Sequence, residues 1–303
     1  MEAKHKSVET WHQEEKAWWD EYGEYMTYQW QTTPNLNRVL RHRLEEDYMD
    51  YLHKPGGRLL DLGCGSGWLS MRFARQGMSV LGIDVSQEQI NAANVAKEKE
   101  GLQNLKFICA DFATWEGSEY ETYFDSVFLS AFMHHLPEVE LELIFERLFS
   151  LVKPGGKVYM YEPLTIGSTR GKFVKFIDAV IELGVNVIVL KVPKVLGFIS
   201  ARHKKEIARG YTMASPNERP VSLISIRNFC VGRFSIPEVQ GRHLYSLGFG
   251  MQVTTLKHGA RKIYELMGFL LYQVDRLLLW GLGWEAFSTP ERFILCSLKF
   301  RRL

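Results

Sequence analysis

Between residues 58 and 162, short apolar runs alternate with stretches whose apolar residues recur at helical spacing. Arg58–Leu62 is a run of the first kind and predicts a strand. Trp68, Leu69, Met71, Phe73 and Ala74 follow at helical spacing and predict a helix over 68–75. Ser79–Asp84 predicts a second strand, closed by an acid. Ser86 then stands where an N-cap belongs, ahead of a helical stretch over 88–100 that Gly101 terminates. Leu105–Asp111 and Phe124–Ser130 predict the third and fourth strands, and the first of these again ends on an acid. A helix over 139–151, a turn at Lys153-Pro154-Gly155-Gly156 and a fifth strand over Lys157–Glu162 complete the series. Strands alternating with helices imply right-handed crossovers and a parallel sheet covered by helices on both faces.

The pattern loosens outside this stretch. Val239–Leu247 reads as helical, Gly248 as a turn, and Gly250–Leu256 and Phe293–Lys299 as two further strands. The segments 164–236 and 257–290 are too long for structureless loops inside a domain. Phe173, Phe176, Ile177, Val180 and Ile181 in the first, and Ile263, Met267, Leu270, Val274 and Leu277 in the second, fall at helical spacing, so both predict helical insertions. Residues 1–54 form a separate arm, rich in Trp and Tyr and also expected to be helical. The predicted architecture is a seven-stranded, mostly parallel, doubly wound α/β sheet over 55–303, with the arm in front and a helical cap at 164–236.

Composition narrows the class. Of 303 residues, 46% are hydrophobic and 24% charged, the balance of a globular protein. A formal charge of +2 lacks the concentrated basic face of nucleic-acid-binding domains, so no nucleic-acid partner is expected. Cys64, Cys109, Cys230 and Cys296 show neither CxxC pairing nor zinc spacing. Free thiols in a reducing cytoplasm, and no metal, are therefore expected. The N-terminal residues carry no apolar h-region. The apolar stretches near 183–190 and 266–284 are interrupted by Asn186 and by Gln273, Asp275 and Arg276, so no membrane span is expected.

The densest chemistry lies at Asp61-Leu62-Gly63-Cys64-Gly65-Ser66-Gly67. A strand that runs through a glycine turn into a helix brings backbone amides and a helix N-terminus against a ligand. A Cβ would block that approach. The third glycine comes one residue earlier than in the G-x-G-x-x-G dinucleotide fingerprint. In an open parallel sheet the ligand site lies at the carboxyl ends of the strands. Here those ends carry Asp61, Asp84, Asp111, Ser130 and Glu162.

The glycine spacing, with the acid two residues ahead, resembles motif I of class I S-adenosylmethionine-dependent methyltransferases. Ala131-Phe132-Met133-His134-His135-Leu136-Pro137 and Lys153-Pro154-Gly155-Gly156-Lys157 resemble the small-molecule branch that includes the ubiquinone-biosynthesis methyltransferases. The likeness is strong over 55–163 and loose over 237–303. It implies S-adenosylmethionine as cofactor, S-adenosylhomocysteine as product, and a small-molecule acceptor. By the same resemblance Asp84 holds the ribose hydroxyls and Val85 packs on adenine. Asp111 accepts from the adenine amino group, Phe112 covers the base, Gly63, Cys64, Gly65 and Gly67 shape the methionine site, and the Ser130 carbonyl holds its amino group. Asp61 acts one shell back.

His134 and His135 are candidate bases because imidazole takes a proton near neutral pH. Glu162 faces the acceptor side as a candidate polar contact. Tyr25 and Tyr28 are candidate lid contacts to cofactor or acceptor. The first insertion is basic, with Lys191, Lys194, Arg202, Lys204 and Lys205 among its cations. That pattern fits a solvated face, the binding of an acidic acceptor or, together with the apolar segment Leu266–Trp284, a peripheral contact with an anionic membrane through which a lipid or glycolipid acceptor is reached. The arm's aromatics fit a lid, a core face or a homodimer contact. A nicotinamide oxidoreductase and a non-catalytic cofactor-binding protein are the rival classes; the glycine spacing and the Asp111-Phe112 pair weigh against the first.

Overall fold

The computed structural model describes residues 6–32, 44–166, 191–212, 214–287 and 294–303, with a few positions between 176 and 187. Helix α1 spans Val8–Thr32, and residues 44–52 form α2. The predicted alternation follows as β1 (Arg58–Leu62), α3 (Trp68–Arg75), β2 (Ser79–Asp84), α4 (Gln87–Glu100) and β3 (Leu105–Cys109). It continues with β4 (Phe124–Ser130), α5 (Leu141–Leu151) and β5 (Val152–Thr165). The Ser86 hydroxyl accepts from Gln89 N at the start of α4, and Gly101 closes that helix in the left-handed region, the two caps expected from their residue types.

The strands are ordered β3-β2-β1-β4-β5-β8-β7, with β7 at Glu238–His243 and β8 at Ile294–Arg301. Strands β1 to β5 are parallel, and β8 runs antiparallel between β5 and β7. A two-residue strand, β6 (Val221–Ser222), adds to the end of β5. Alternation along each strand sends side chains to two cores. Leu60, Leu62, Val127 and Val158 join α5 on one face; Leu59, Phe128 and Tyr159 join Phe73 and α2 on the other. Strand order reverses between β1 and β4, which opens a crevice at their carboxyl ends.

Two expectations change. The Lys153–Gly156 segment is not a turn ahead of β5 but a kink within it. Pairing with β4 shifts from Phe124↔Val152 to Ser126↔Lys157, and Gly155, at φ 72°, donates to Arg302 O. The extra residues form a bulge rather than ending the strand. Near the C-terminus the predicted order is inverted. The stretch read as helical contains strand β7, and the one read as a strand lies mostly in a helix at Ser246–Val253. β7 is an edge strand, so it carries the polar side chains Glu238, Gln240 and Arg242. The apolar stretch after it is drawn into a helix by a distant residue. Fully buried Asp275 accepts from Leu244 N, Tyr245 N and Ser246 N (3.0, 3.1 and 2.9 Å), a cap supplied from 29 to 31 residues away.

Further α-helices among the described residues include α6 (Val192–Val195), α7 (Ala201–Ala208), α8 (Leu223–Cys230), α9 (Ser246–Val253) and α10 (His258–Leu282). Of the residues on which the helical expectation for 164–236 rested, Phe173 and Ile177 lie outside the described residues. Helix α1 crosses α4 closely at Gly23, where a Cβ would stand 2.1 Å from Gln89 Nε2.

Candidate active site

The crevice holds a cavity of ≈ 550 Å³ lined from two sides. On one side are the glycine turn and the ends of β1, β2 and β3. Gly63, Gly65 and Gly67 all adopt left-handed φ, at 68°, 51° and 75°. A Cβ on Gly67 would sit 2.3 Å from Phe107 Cζ, so Gly67 serves the packing of the α3 start, and it does not line the cavity. The turn's amides are largely committed internally. Gly63 N and Cys64 N donate to Ile83 O, Gly67 N to Cys64 O, and Gly65 N to Asp84 Oδ2 at 2.8 Å. The turn thus gives close approach more than free donors.

Asp84 is held at both oxygens, since Ser86 N donates to Oδ1 at 2.9 Å. Each oxygen keeps a lone pair for a hydroxyl donor. Burial pushes the carboxyl above the usual range against the pull of these two amides, a penalty that a bound diol would relieve. Asp61 lies beneath, 2% exposed, with Ser70 Oγ donating to Oδ2 at 2.5 Å. Burial lifts its pKa to about 7. Asp111 Oδ1 accepts from Ala113 N, and Phe112 packs buried against Trp115 at 6.0 Å. Val85, Cys64 and Ser130 complete this wall. Glycines in a cradle that a Cβ would fill, and a two-oxygen acceptor beside them, fit an adenosyl group.

On the other side stands the segment after β4. Ala131 takes φ 55°, left-handed for a residue with a Cβ. Glu162, fully buried, holds this bend together. Its Oε1 accepts from Phe132 N and Met133 N (2.8 and 2.9 Å), and its Oε2 lies 2.8 Å from His134 Nδ1. Glu162 therefore positions His134 and does not line the cavity. A carboxylate only accepts, so His134 donates through Nδ1 and presents Nε2 outward. The His135 ring lies 4.0 Å from that of His134. Its Nδ1 is 3.0 Å from Ser215 Oγ and 3.2 Å from Glu15 Oε2. Both histidines line the cavity.

Helix α1 closes the space between the two sides with two of the arm's aromatics and with His12 and Glu15, which are not among the sequence candidates. Trp11, His12, Glu15 and Trp19 line the cavity. Trp11 Nε1 donates to His135 O (2.6 Å), and Trp19 meets the His135 ring edge-on at 5.5 Å. His12 bridges Asp111 Oδ2 (2.8 Å) and Glu140 Oε2 (2.7 Å). Hydrogen bonds to Asp111 and then Glu140 raise its pKa to about 10. Burial alone would raise the Asp111 carboxyl, but the His12 and Ala113 bonds outweigh it and leave it lowered. The spacing of Trp11, Glu15, Trp19 and Met26 along one helix face was the available signal. Glu218 and Arg219 also line the cavity, and no pattern near them announced it.

Tyr25 is elsewhere: its hydroxyl meets His203 Nδ1 at 2.8 Å, packed against Tyr211 and outside the cavity. The side chain of Tyr28 lies outside the described residues. His134, His135 and Glu218 can each offer one ligand atom, all within 4.8 Å of one another. Ser215 N already donates to Glu218 Oε1, and Arg219, held by Leu136 O, adds positive charge on the same wall. The arrangement suits proton handling better than a cation.

Residues 59–156 match the family model described as a methyltransferase domain. Over 139 residues the chain is 32% identical to 24-methylenesterol C-methyltransferase 2 of Oryza sativa subsp. japonica, covering 45% of this chain and 37% of that protein. Over 145 residues it is 30% identical to the ubiquinone biosynthesis O-methyltransferase of Acinetobacter baylyi, covering 47% of this chain and 55% of the relative. The chain thus spans about half or less of the length of these curated relatives. A solved phosphoethanolamine N-methyltransferase 2 from Haemonchus contortus, with S-adenosylhomocysteine bound, superposes with a TM-score of 0.57 at 14% identity, covering 95% of this chain and 59% of that one. At that identity the likeness speaks for the fold. The family match falls on the strands that carry the glycine turn, Asp84 and Asp111, and the chain therefore carries a class I S-adenosylmethionine-dependent methyltransferase domain.

Proposed function

We propose that this protein transfers a methyl group to an oxygen or nitrogen of a small, lipophilic acceptor. One observation carries the reading: Asp84, fixed by Gly65 N and Ser86 N, shares a single cavity with the Glu162-held His134. When bound, S-adenosylmethionine supplies a methyl group on a sulfonium, and displacement leaves S-adenosylhomocysteine. Asp84 and Asp111 would hold the adenosyl part against the glycine turn. The acceptor would lie between the His134-His135 wall and α1, in the same cavity as the adenosyl site. Such placement in a dry site accounts for up to ~7–11 kcal/mol of barrier lowering. The acceptor's proton passes to an imidazole of the His134-His135 pair, which Glu162 and Glu15 keep oriented. Trp11, Trp19 and Leu136 exclude water.

A lipophilic acceptor is supported by the aromatic and aliphatic lining from Trp11, Trp19, Tyr161, Leu244 and Leu295. The sterol and ubiquinone-pathway names of the two relatives agree with it. The test is calorimetric titration with S-adenosylhomocysteine, with NADH as the control, followed by transfer of labelled methyl to a panel of phenolic, polyprenyl and sterol acceptors. Micromolar binding and label in an apolar product are expected. Absence of S-adenosylhomocysteine binding, or binding of NADH instead, would sink the reading.

A further inference from the structure

Helix α10 is apolar on both of its long faces. The inner face is spent on the protein: Tyr264, Gly268, Tyr272 and Asp275 are buried, and the tyrosines pack with Phe249, Val253 and Leu256. The outer face has no such cover among the described residues. Ile263, Leu266, Leu270, Val274 and Leu277 recur along one line at helical spacing and are exposed, Leu266 by 62% and Leu277 by 66%. Trp280 continues the line at 87% exposure. No helix among the described residues is long and apolar enough to cross a membrane, so this face is not half of a span.

The start of this helix is positively charged. Lys257 and Lys262 are exposed there. Lys257 N donates to Phe198 O (2.7 Å) and Ser200 N to Thr255 O (2.9 Å), which ties the α6–α7 connection to the same end. That connection brings exposed Lys191 and Lys194 with bare Val195 and Leu196 beside them. The carboxylates of α10 do not offset this charge along the stripe: Asp275 is fully buried and Glu265 is half-buried. An apolar stripe ending in an aromatic, with exposed Lys191, Lys194, Lys257 and Lys262 gathered at one end and exposed Arg276 beside Leu277, is the chemistry of a helix lying in an anionic lipid interface. A second copy of the chain would meet cations with cations if the two helices paired side by side in parallel.

The geometry points to α10 as a peripheral docking surface for an anionic lipid bilayer. It deepens the reading above, and rests on it, by naming the bilayer as the phase from which the lipophilic acceptor is drawn. The helix is coupled to the cavity through Asp275, which holds the amides of residues 244–246, while His243 and Leu244 form part of the cavity wall. A surface that engages lipid is thereby fixed relative to the acceptor side.

Cosedimentation of the whole protein with phosphatidylcholine vesicles, with and without phosphatidylglycerol, tests this. Binding to the anionic vesicles is expected, weakening by about tenfold or more without phosphatidylglycerol and falling with salt. The double variant Leu270→Glu/Leu277→Glu should lose vesicle binding while keeping its helical content and S-adenosylhomocysteine affinity. Lys191→Ala/Lys194→Ala should lose only the preference for anionic lipid. Equal binding by the Leu270/Leu277 variant, no vesicle binding by the wild type, or a wild-type dimer that the variant converts to monomer would each overturn the docking assignment. Cofactor titration judges the methyl-transfer reading separately, so failure of one is not mistaken for failure of the other.

Discussion

The two walls of the cavity are built by different rules. The cofactor wall is local: Gly63 to Asp84 spans 22 residues, and its decisive bonds run between the glycine turn, the tip of β2 and the cap of α4. The acceptor wall is assembled from afar. His135 is held by Ser215 and Glu15, Glu15 in turn accepts from Asn217 N across 202 residues, and Trp11 reaches His135 O across 124. Under the proposed function the difference follows from the ligand that each wall would take. An adenosyl group needs the same diol acceptor and tight turn whatever the substrate, and a short motif can encode both. An acceptor pocket is specific to its ligand and is put together by insertions and an arm.

Breaking the joint between the walls should have the largest effect. Glu162→Ala removes a fully buried carboxylate and leaves Phe132 N, Met133 N and His134 Nδ1 without their acceptor. A loss of ~3–5 kcal/mol is expected in denaturant unfolding; a loss under about 1 kcal/mol would mean that the bend holds itself. Next, the glycine cradle can be set against an ordinary turn. Gly67→Ala meets both a left-handed φ and a ring carbon at 2.3 Å, whereas Gly77→Ala meets a left-handed φ of 83° with nothing within 4 Å. The first should cost ~3 kcal/mol or more and the second ~1–2 kcal/mol. Equal costs would refute the close-packing account of Gly67.

Asp84→Ala against His135→Ala separates the walls functionally. The aspartate variant should lose about a hundredfold or more in S-adenosylhomocysteine affinity, from two charge-assisted hydrogen bonds of ~1.5–3 kcal/mol each. The histidine variant should keep that affinity within a few fold and lose turnover instead. Isothermal calorimetry and labelled-methyl assays read the two effects independently.

The smallest expected effect concerns the arm. His12 has its pKa raised to about 10 by Asp111 and Glu140. A group raised in this way contributes fully below its unfolded value of 6.5, and the contribution is lost as pH rises through about 10. Docking of α1 should thus weaken between pH 6.5 and about 10, by ~1–2 kcal/mol once solvent screening of this partly exposed group is counted. Amide exchange in α1 across that window would show it. His12→Ala should flatten the pH dependence, and an unchanged profile would remove the bridge from the account.

Within the C-terminal third, the misreading has a physical source. Edge strand β7 turns only Val239, Gly241 and His243 inward between Glu238, Gln240 and Arg242, so Glu238–His243 has a single large apolar residue and no readable strand pattern. The helix after it takes its start from Asp275, which no local window contains. Likewise the sequence pattern closes a strand on Glu162 as it does on Asp84, although β5 runs on to Thr165. Only the neighbours tell them apart: Asp84 keeps lone pairs toward a cavity, and Glu162 turns both oxygens inward to the chain.

What the amino-acid order determined by itself was the alternation of strands and helices over 58–162, the caps at Ser86 and Gly101, the glycine turn and the acids at the strand ends. Each depends on interactions within a few residues or on a side chain's period along one element. Tertiary structure decided which of those acids faces ligand, brought His12, Glu15 and Trp19 over the site, and left the outer face of α10 bare. Those outcomes depend on what lies opposite in space, and sequence spacing carries no record of that.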